Sequence, residues 1–158
     1  MAVLDAEALR PRLAQFLEKL LRAGRFQLQF EITAASGGGP ELLVDFRGPD
    51  ADLLLARGGE MLAALEHLAA KSLRLAAEEQ SLLSFDCQGY KSLREEELRL
   101  IAATAAERVR RTRSPFALNP MNARERRIIH LALRDDATVR TESEGSGPSR
   151  KVVIHPKP

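Results

Sequence analysis

The sequence predicts an α+β protein of two small domains, and three observations support this fold class. First, 158 residues suffice for one ordinary domain or two small ones, and a hydrophobic content of 44% can fill their cores. Second, stretches with helical spacing of apolar residues are interspersed with stretches of strict alternation. Third, residues 1–87 contain nine Lys/Arg and thirteen Asp/Glu, a net −4, whereas residues 88–158 contain fifteen and nine, a net +6. This asymmetry suggests a polyanionic partner for the second part, although solvated basic helix faces are common in ordinary domains.

The first part is predicted to follow the order helix, strand, strand, helix, helix, strand. Apolar residues at helical spacing predict a helix over 6–23, with Gly24 at its end. The alternating stretches FQLQFEIT and ELLVDFRG, separated by ASGGGP, predict a hairpin. A short helix, a turn at Gly58 and Gly59, and a longer helix follow, and SLLSFDC predicts the last strand. Because the helices can cover only one face of so small a sheet, we expect a two-layer sandwich.

The second part is predicted to contain two helices and a second hairpin. A long helix is expected from about Ser92 to Arg113, and SPFALNPMN ends it because its two prolines interrupt helical hydrogen bonding. Asn122 is a good N-cap for the next helix, and Glu125 three residues later completes a capping-box pattern. This helix is expected to end near Asp135. TVRTES and RKVVIHP then form two strands joined by the turn EGSGPS.

The helix after Asn122 carries a basic sector. At about 3.6 residues per turn, its cationic side chains fall within roughly 100° and face away from an apolar sector that includes Ile128 and Ala132; the cationic residues are Arg126, Arg127, His130 and Arg134. Such an array can donate charge-assisted hydrogen bonds to phosphate oxygens, with His130 adding a donor from either ring nitrogen. Taken alone, an Arg and a His four residues apart are more often a solvated helix face with a surface histidine.

Several other functions are disfavoured by the sequence. No stretch has the roughly 20 apolar residues of a membrane-spanning helix, and charged residues near the N-terminus argue against a signal peptide, so we expect a soluble, cytoplasmic protein. The single cysteine, Cys87, is expected to be buried, and His67 and His155 to be surface residues without catalytic work. The histidines lack zinc spacing, GSGPSRK lacks P-loop spacing, and no acid and base pair indicates an active site. We therefore expect neither an enzyme nor a metal or cofactor.

Two ordered motifs resemble a known arrangement of domains. ERRIIHLAL, preceded by LNPMN and followed by VRTESEGSGPSRKVVI, resembles the Arg-x-x-x-His, or R-three-H, family of single-stranded nucleic-acid-binding domains. Arg126 and His130 match its two defining positions, and the likeness continues through positions in the final hairpin, namely Ser143, Gly145, Gly147 and Arg150. Upstream, LLLARGGEMLAALEHL and DCQGYKSLREEEL look like the KH portion of bacterial Jag proteins and their joining motif. The resemblance implies a KH-like helix-strand-strand-helix-helix-strand sandwich over residues 6–90 and an R-three-H-like helix and sheet domain over residues 91–158.

The resemblance also implies a site and a ligand. A Jag-type protein is expected to bind single-stranded RNA or DNA, most often RNA, with phosphates against Arg126, Arg127 and His130. Arg140, Arg150 and Lys151 are expected to extend this cationic surface from the adjoining hairpin. Near phosphate, the charged form of His130 should be favoured, so affinity should rise as the pH falls from about 7.5 to 6.

The KH domain implies a second contact to the nucleic-acid backbone, through Arg57, Gly58 and Gly59. KH domains use a Gly-x-x-Gly loop, but here the stretch reads Ala56-Arg57-Gly58-Gly59. If the first position needs a positive φ, Ala56 should cost roughly 1 kcal/mol or more. The alternative is a plain helix-turn-helix, or a surface given over to protein contacts.

A different class of function is kept as an alternative. The chain could be a protein-interaction module that regulates cell-envelope growth, cell elongation or division, since Jag-like proteins are associated with a smaller KH-type partner. Either that partner or a homodimer would then cover part of the first domain.

Overall fold

The structure, a computed structural model, describes residues 5–35 and 41–158. The chain divides into two compact units, Met1–Lys91 and Ser92–Pro158. Both combine helices with a three-stranded sheet, which confirms the α+β class. The predicted glycine-rich turn of the first hairpin falls largely on residues 36–40 and so lies outside the described residues.

The first unit contains two long helices and a mixed sheet. Helix α1 spans Ala6–Ala23, and Gly24 caps its C-terminus by donating to the Leu20 carbonyl at 2.9 Å. Strands β1 (Gln29–Ala34) and β2 (Leu42–Arg47) pair antiparallel, as the hairpin prediction required. Strand β3 (Leu83–Cys87) follows a short 3₁₀ helix, Gln80–Leu82, and pairs with β2 in parallel. The sheet order is therefore β1-β2-β3.

Helix α2 covers Ala51–Ser72 but is interrupted at residues 56–59, where four successive residues leave helical geometry. The predicted short helix, turn and longer helix are thus confirmed. Both parts of α2 contribute buried leucines, Leu54 and Leu62, to a core that also holds Phe46 and Phe85. These two rings meet edge to face with centroids 5.3 Å apart, a favourable aromatic geometry. Cys87 is buried in the same core, as predicted, and burial together with nearby aspartates raises the pKa of its thiol.

The second unit packs two helices on one face of an antiparallel sheet. Helix α3 spans Tyr90–Thr112 and helix α4 spans Ala123–Leu133. Strands β5 (Val139–Glu144) and β6 (Lys151–Pro156) form the predicted hairpin. A two-residue strand, β4 (Phe116–Ala117), pairs with the other side of β6 and gives the order β4-β6-β5. The sequence predicted only a helix break there, because two residues are too few for an alternation pattern.

The two faces of this second sheet differ in character. On one face, Val152 and Ile154 of β6 are fully buried with Leu98 and Val109 of α3 and Ile129 of α4. Because side chains alternate along a strand, the intervening residues occupy the opposite face; they are Arg140, Glu142 and Glu144 of β5 and Lys151, Val153 and His155 of β6. Within the described ranges, no helix is long and apolar enough to cross a membrane.

Candidate nucleic-acid interface

A capping box fixes the start of α4, as the sequence predicted. The Asn122 side chain accepts from the Glu125 backbone N–H at 2.9 Å, and the Glu125 carboxylate accepts from the Asn122 N–H at 3.3 Å. Glu125 is buried, and its other oxygen lies 2.7 Å from Nε of Arg94 on α3. Although burial lowers the pKa of Arg94, hydrogen bonds to Glu125 and Glu97 raise it overall. The helix that carries the basic residues is therefore tied to α3 at its first turn.

His130 lies between α4 and β5 with both ring nitrogens engaged. Its Nδ1 is 2.6 Å from Oγ1 of Thr141, and its Nε2 is 2.8 Å from Oγ of Ser143. Partial burial lowers the pKa of His130, and the nearby positive charge of Arg126 lowers it further. The neutral ring then donates from one nitrogen to one hydroxyl and accepts from the other hydroxyl at its second nitrogen.

This arrangement bears on both interpretations of His130 that the sequence offered. As a phosphate-binding residue, His130 was expected to add a donor from either ring nitrogen; in the structure both nitrogens contact hydroxyls, and its contact with phosphate stays a prediction. A surface location would leave the ring uncovered, but the residue is half-buried. Sequence reasoning missed Thr141 as a partner, although its place two residues before Ser143 puts both on one face of β5. Two half-buried hydroxyl side chains thus lie beside the imidazole.

Three of the predicted cations lie on or beside α4. Arg126 is half-buried, and its Nε has no hydrogen-bond partner in the described part of the chain. Arg127 and Arg150 are exposed, and the Arg150 carbonyl accepts from the Met121 N–H at 3.1 Å, next to the start of α4. Among residues 5–35 and 41–158, none of these three guanidinium groups forms an ion pair. We call Arg126, Arg127, His130, Thr141, Ser143 and Arg150 the α4 site.

Two predicted cations do not join this site. Arg140 and Lys151 occupy the sheet face opposite to Thr141 and Ser143. Arg140 directly precedes Thr141, and Lys151 directly precedes Val152, the cross-strand partner of Ser143, and successive side chains of a strand alternate between faces. Arg140 also pairs with Glu142 at 3.2 Å. Arg140 and Lys151 therefore do not lie on the sheet face that meets α4, whereas Arg150 lies beside that helix. A contact of Arg140 or Lys151 with nucleic acid stays a prediction.

The opposite face also holds His155, which the sequence placed at the surface. Its side chain is only 18% exposed, and its Nε2 lies 3.6 Å from carboxylate oxygens of both Glu142 and Glu144. This expectation was wrong because β6 is the central strand of the sheet, so strands β4 and β5 lie on either side of the residue. The possible ligand atoms of the three side chains lie within 4.8 Å of one another.

The backbone strain at the interruption in α2 falls on Arg57 and not on Ala56, where the sequence placed it. Ala56 has φ −58° and ψ 150°, so alanine costs nothing there, while Arg57, Gly58 and Gly59 have φ values of 53°, 68° and 77°. The non-glycine residue in left-handed geometry is Arg57, whose side chain is exposed. A Cβ at Gly59 would meet the Tyr90 ring at 2.8 Å, so this position requires glycine for space as well as for φ.

Comparison with known proteins gives a domain and several relatives. Residues 96–156 match the family model of the R-three-H domain. The chain is 31% identical to a protein of Clostridium symbiosum named RNA-binding protein KhpB, with 94% of this chain and 66% of that protein aligned. A protein of the same name from Bacillus subtilis is 29% identical, with 94% of this chain and 77% of that protein aligned. The chain thus spans slightly less than two thirds of the first relative and about three quarters of the second.

Proposed function

We propose that this protein binds single-stranded nucleic acid, RNA in the first place, through the α4 site. The R-three-H match over residues 96–156 and the relatives named RNA-binding proteins support this function. The observation that carries the proposal is the state of Arg126, which is half-buried beside His130 and, among the residues that the structure describes, has no acidic partner and no acceptor for its Nε. A phosphate oxygen would supply the missing acceptor and the missing negative charge.

The hydroxyls of Thr141 and Ser143 add to this binding mode. While His130 is neutral, the hydroxyl that accepts from the ring retains its own hydrogen and can donate it to a phosphate oxygen. If the ring gains a second proton, both hydroxyls accept from it and both retain a hydrogen for the ligand. Protonation of His130 therefore increases the number of donors as well as the positive charge facing a phosphate.

The first unit is proposed to be KH-like and to contact the same strand. Its order of α1, β1, β2, the two parts of α2 and β3 agrees with the predicted sandwich over residues 6–90. Arg57 stands exposed at the interruption of α2, followed by Gly58 and Gly59 at the start of the next helical segment. Backbone N–H groups and the positive helix end at such a position favour phosphate. We expect Arg57 to contribute a single phosphate contact.

A salt titration tests the α4 site directly. With about three or four phosphates neutralised, log K should fall against log salt with a slope of about −2 to −3 for a single strand. Arg126→Gln should reduce affinity for oligoribonucleotides and make the slope shallower by about 0.7. Arg22→Gln, at an exposed arginine of α1, is the matched control and should leave both quantities unchanged. Equal affinities and slopes for Arg126→Gln and wild type would contradict the proposal.

RNA and single-stranded DNA of identical sequence should be compared in the same titration. A preference for RNA is expected, and a reversed preference would assign the site to DNA. We propose that the protein binds its ligand without catalysing a reaction. We also propose that it is located in the cytoplasm, where the ligand is found.

A second candidate function is binding of a KH-type protein or of a second copy through the first unit. Met61 and Leu68 of α2 are 37% and 48% exposed and lie seven residues apart, hence on one face of the helix. Light scattering after size-exclusion chromatography should then report a dimer that Met61→Lys together with Leu68→Lys converts to a monomer. A wild-type protein that is monomeric at every concentration would rule out self-association.

A further inference from the structure

The second unit has a large open groove that lies apart from the α4 site. It encloses about 780 Å³ between α3 and the segment that contains β4. Because β4 and β5 are the two edges of the second sheet, this groove and the hydroxyls that hold His130 lie at opposite edges. The groove is lined by Leu100, Thr104, Arg108 and Arg111 of α3 and, across from them, by Phe116 and Leu118.

The four α3 residues form one continuous ridge. They are spaced by four, four and three residues, which places them one above another along the helix. Leu100 at the upper end of the ridge is 68% exposed. Leu100 gives the groove an apolar part, and the two arginines at the other end of the ridge give it a cationic part.

Phe116 and Arg108 already form a stacking contact in the groove. The Cζ atom of Arg108 lies 4.4 Å from the centroid of the Phe116 ring, within the range of a cation–π interaction. Phe116 is half-buried against the core of the unit, whereas Arg108 is exposed. The ring is therefore held in place by the fold, and the planar guanidinium is presented towards solvent.

The charge of the groove is positive. Glu107 also borders it and pairs at 2.9 Å with Arg110, which Asp136 shares, so the two cations Arg108 and Arg111 outnumber the one carboxylate of the groove. Within the part of the chain that the structure describes, Arg108 and Arg111 form no ion pair. The groove thus combines an aromatic ring, a planar cation and a second uncompensated cation.

We propose that this groove binds nucleobases of the same single strand, with one base stacked at Phe116 and Arg108 and an adjacent phosphate paired with Arg111. This inference rests on the proposed function and adds a base-binding subsite to it. Bases stack on aromatic rings and on guanidinium planes in single-strand recognition, at about 1–3 kcal/mol per base. A polyanion satisfies Arg111, and the apolar wall at Leu100 and Leu118 accommodates the edge of a base.

A single strand can reach both sites. The edge strands β4 and β5 are separated by two inter-strand spacings, about 10 Å. The strand would be held by phosphates at the α4 site and by bases in the groove. Affinity at the α4 site should not require bases, whereas the stacking contact in the groove should require them.

The test compares oligoadenylate with an abasic sugar-phosphate oligomer of equal length. Wild type should bind oligoadenylate more tightly by about tenfold, the value of one stacked base. Phe116→Leu should remove most of this difference and leave affinity for the abasic oligomer unchanged. Arg108→Lys, which keeps the charge but removes the plane, should weaken oligoadenylate binding selectively. A 2-aminopurine base in the oligomer should show fluorescence quenching with wild type that Phe116→Leu abolishes.

The outcomes separate this inference from the proposed function. If wild type binds both oligomers equally and neither groove variant changes affinity, the base-binding subsite is wrong while the α4 site stands. If wild type binds neither oligomer, the proposed function itself fails. Arg108→Lys changes only an exposed side chain, so it gives a valid answer even if Phe116→Leu does not fold. The same equal binding is expected if a protein, rather than a base, occupies the groove.

Discussion

Nδ1 of His130 lies 2.6 Å from Oγ1 of Thr141, so the histidine of the basic helix is bonded to the neighbouring strand. Its Nε2 is bonded to Ser143 of the same strand in the same way. The imidazole therefore orients two hydroxyls and holds α4 against β5, besides lying next to Arg126. Its titration should control both the donors available to a ligand and the local charge.

The affinity for single-stranded RNA should rise as the pH falls, with the steepest change below 6.5. Burial and Arg126 lower the pKa of free His130, so the ring is largely neutral near pH 7. A bound phosphate favours the charged ring and raises its pKa in the complex, so protons are taken up on binding. We expect a gain of up to about tenfold between roughly pH 7 and 5, the size of one hydrogen bond to a charged group.

Fluorescence anisotropy with a labelled oligoribonucleotide measures this dependence. His130→Gln should show a flatter profile, while His67→Gln, at an exposed histidine of the first unit, should follow wild type. Identical profiles for His130→Gln and wild type would assign the titration to another group. The change is expected at lower pH than the sequence alone predicted.

Loss of the Glu125 carboxylate should destabilise the second unit. Glu125→Ala removes the capping box and leaves Arg94 without its less exposed partner, so we expect the free energy of unfolding to fall by about 2–3 kcal/mol. Glu97→Ala is the matched control, because Glu97 pairs with the same arginine but is 58% exposed against 11% for Glu125. That variant should lose no more than about 0.5 kcal/mol. Urea denaturation followed by circular dichroism measures both, and equal losses would contradict the assigned role of Glu125.

Alanine at Gly59 should cost more than alanine at Gly89. Both glycines have positive φ, 77° and 70°, so each substitution carries a backbone cost of about 1 kcal/mol. At Gly59 the new Cβ would meet the Tyr90 ring at 2.8 Å, whereas no atom of the described residues lies within 4 Å of a Cβ at Gly89. We expect about 1 kcal/mol of additional destabilisation for Gly59→Ala in thermal or urea unfolding. A smaller loss at Gly59 than at Gly89 would show that Tyr90 moves aside freely.

Asp136 should stabilise the second unit at neutral pH but not in acid. Hydrogen bonds from the Thr138 hydroxyl and N–H, at 2.6 and 2.7 Å, lower the pKa of this carboxyl, and Arg110 at 2.9 Å contributes further. Because its folded pKa is below the ordinary 3.8, its contribution is present above that value and is lost as the pH falls through the folded pKa. Asp136→Asn should therefore be less stable than wild type near pH 7, and the difference should shrink once the pH falls below the ordinary 3.8.

Urea unfolding at several pH values tests this dependence. Asp135→Asn is the matched control, since the adjacent carboxylate is 88% exposed and should give a stability curve parallel to that of wild type. A difference between Asp136→Asn and wild type that persists unchanged in acid would mean that the carboxyl acts through its shape rather than its charge.

Much of the fold follows from local patterns. The helical spacing that ends at Gly24 and the Asn122–Glu125 capping box depend on residues within one turn of one another, and both occur as predicted. The hairpins also follow from alternation, which fixes the two faces of a strand. Strand β4 was missed, because its pairing with β6 depends on a distant partner rather than on its own two residues.

The candidate site was predictable only in part. The identity of the cations on α4 is local, and so is their proximity to one another. The partners of His130 and the sheet face of Arg140 are not local, because they depend on how β5 is placed against α4. The groove at Phe116 was also hidden, since Arg108 and Phe116 belong to different elements.

The sequence by itself determined the α+β class, the helix limits at the caps, the buried Cys87 and the positive charge of the second part. The tertiary structure decided that His130 is bonded on both sides, that Arg140 and Lys151 face away from α4, and that Arg57 rather than Ala56 adopts left-handed geometry. The physical reason is one of range. Periodicity and capping are set by neighbours a few residues away, whereas hydrogen-bond partners and exposed faces are set when distant segments pack.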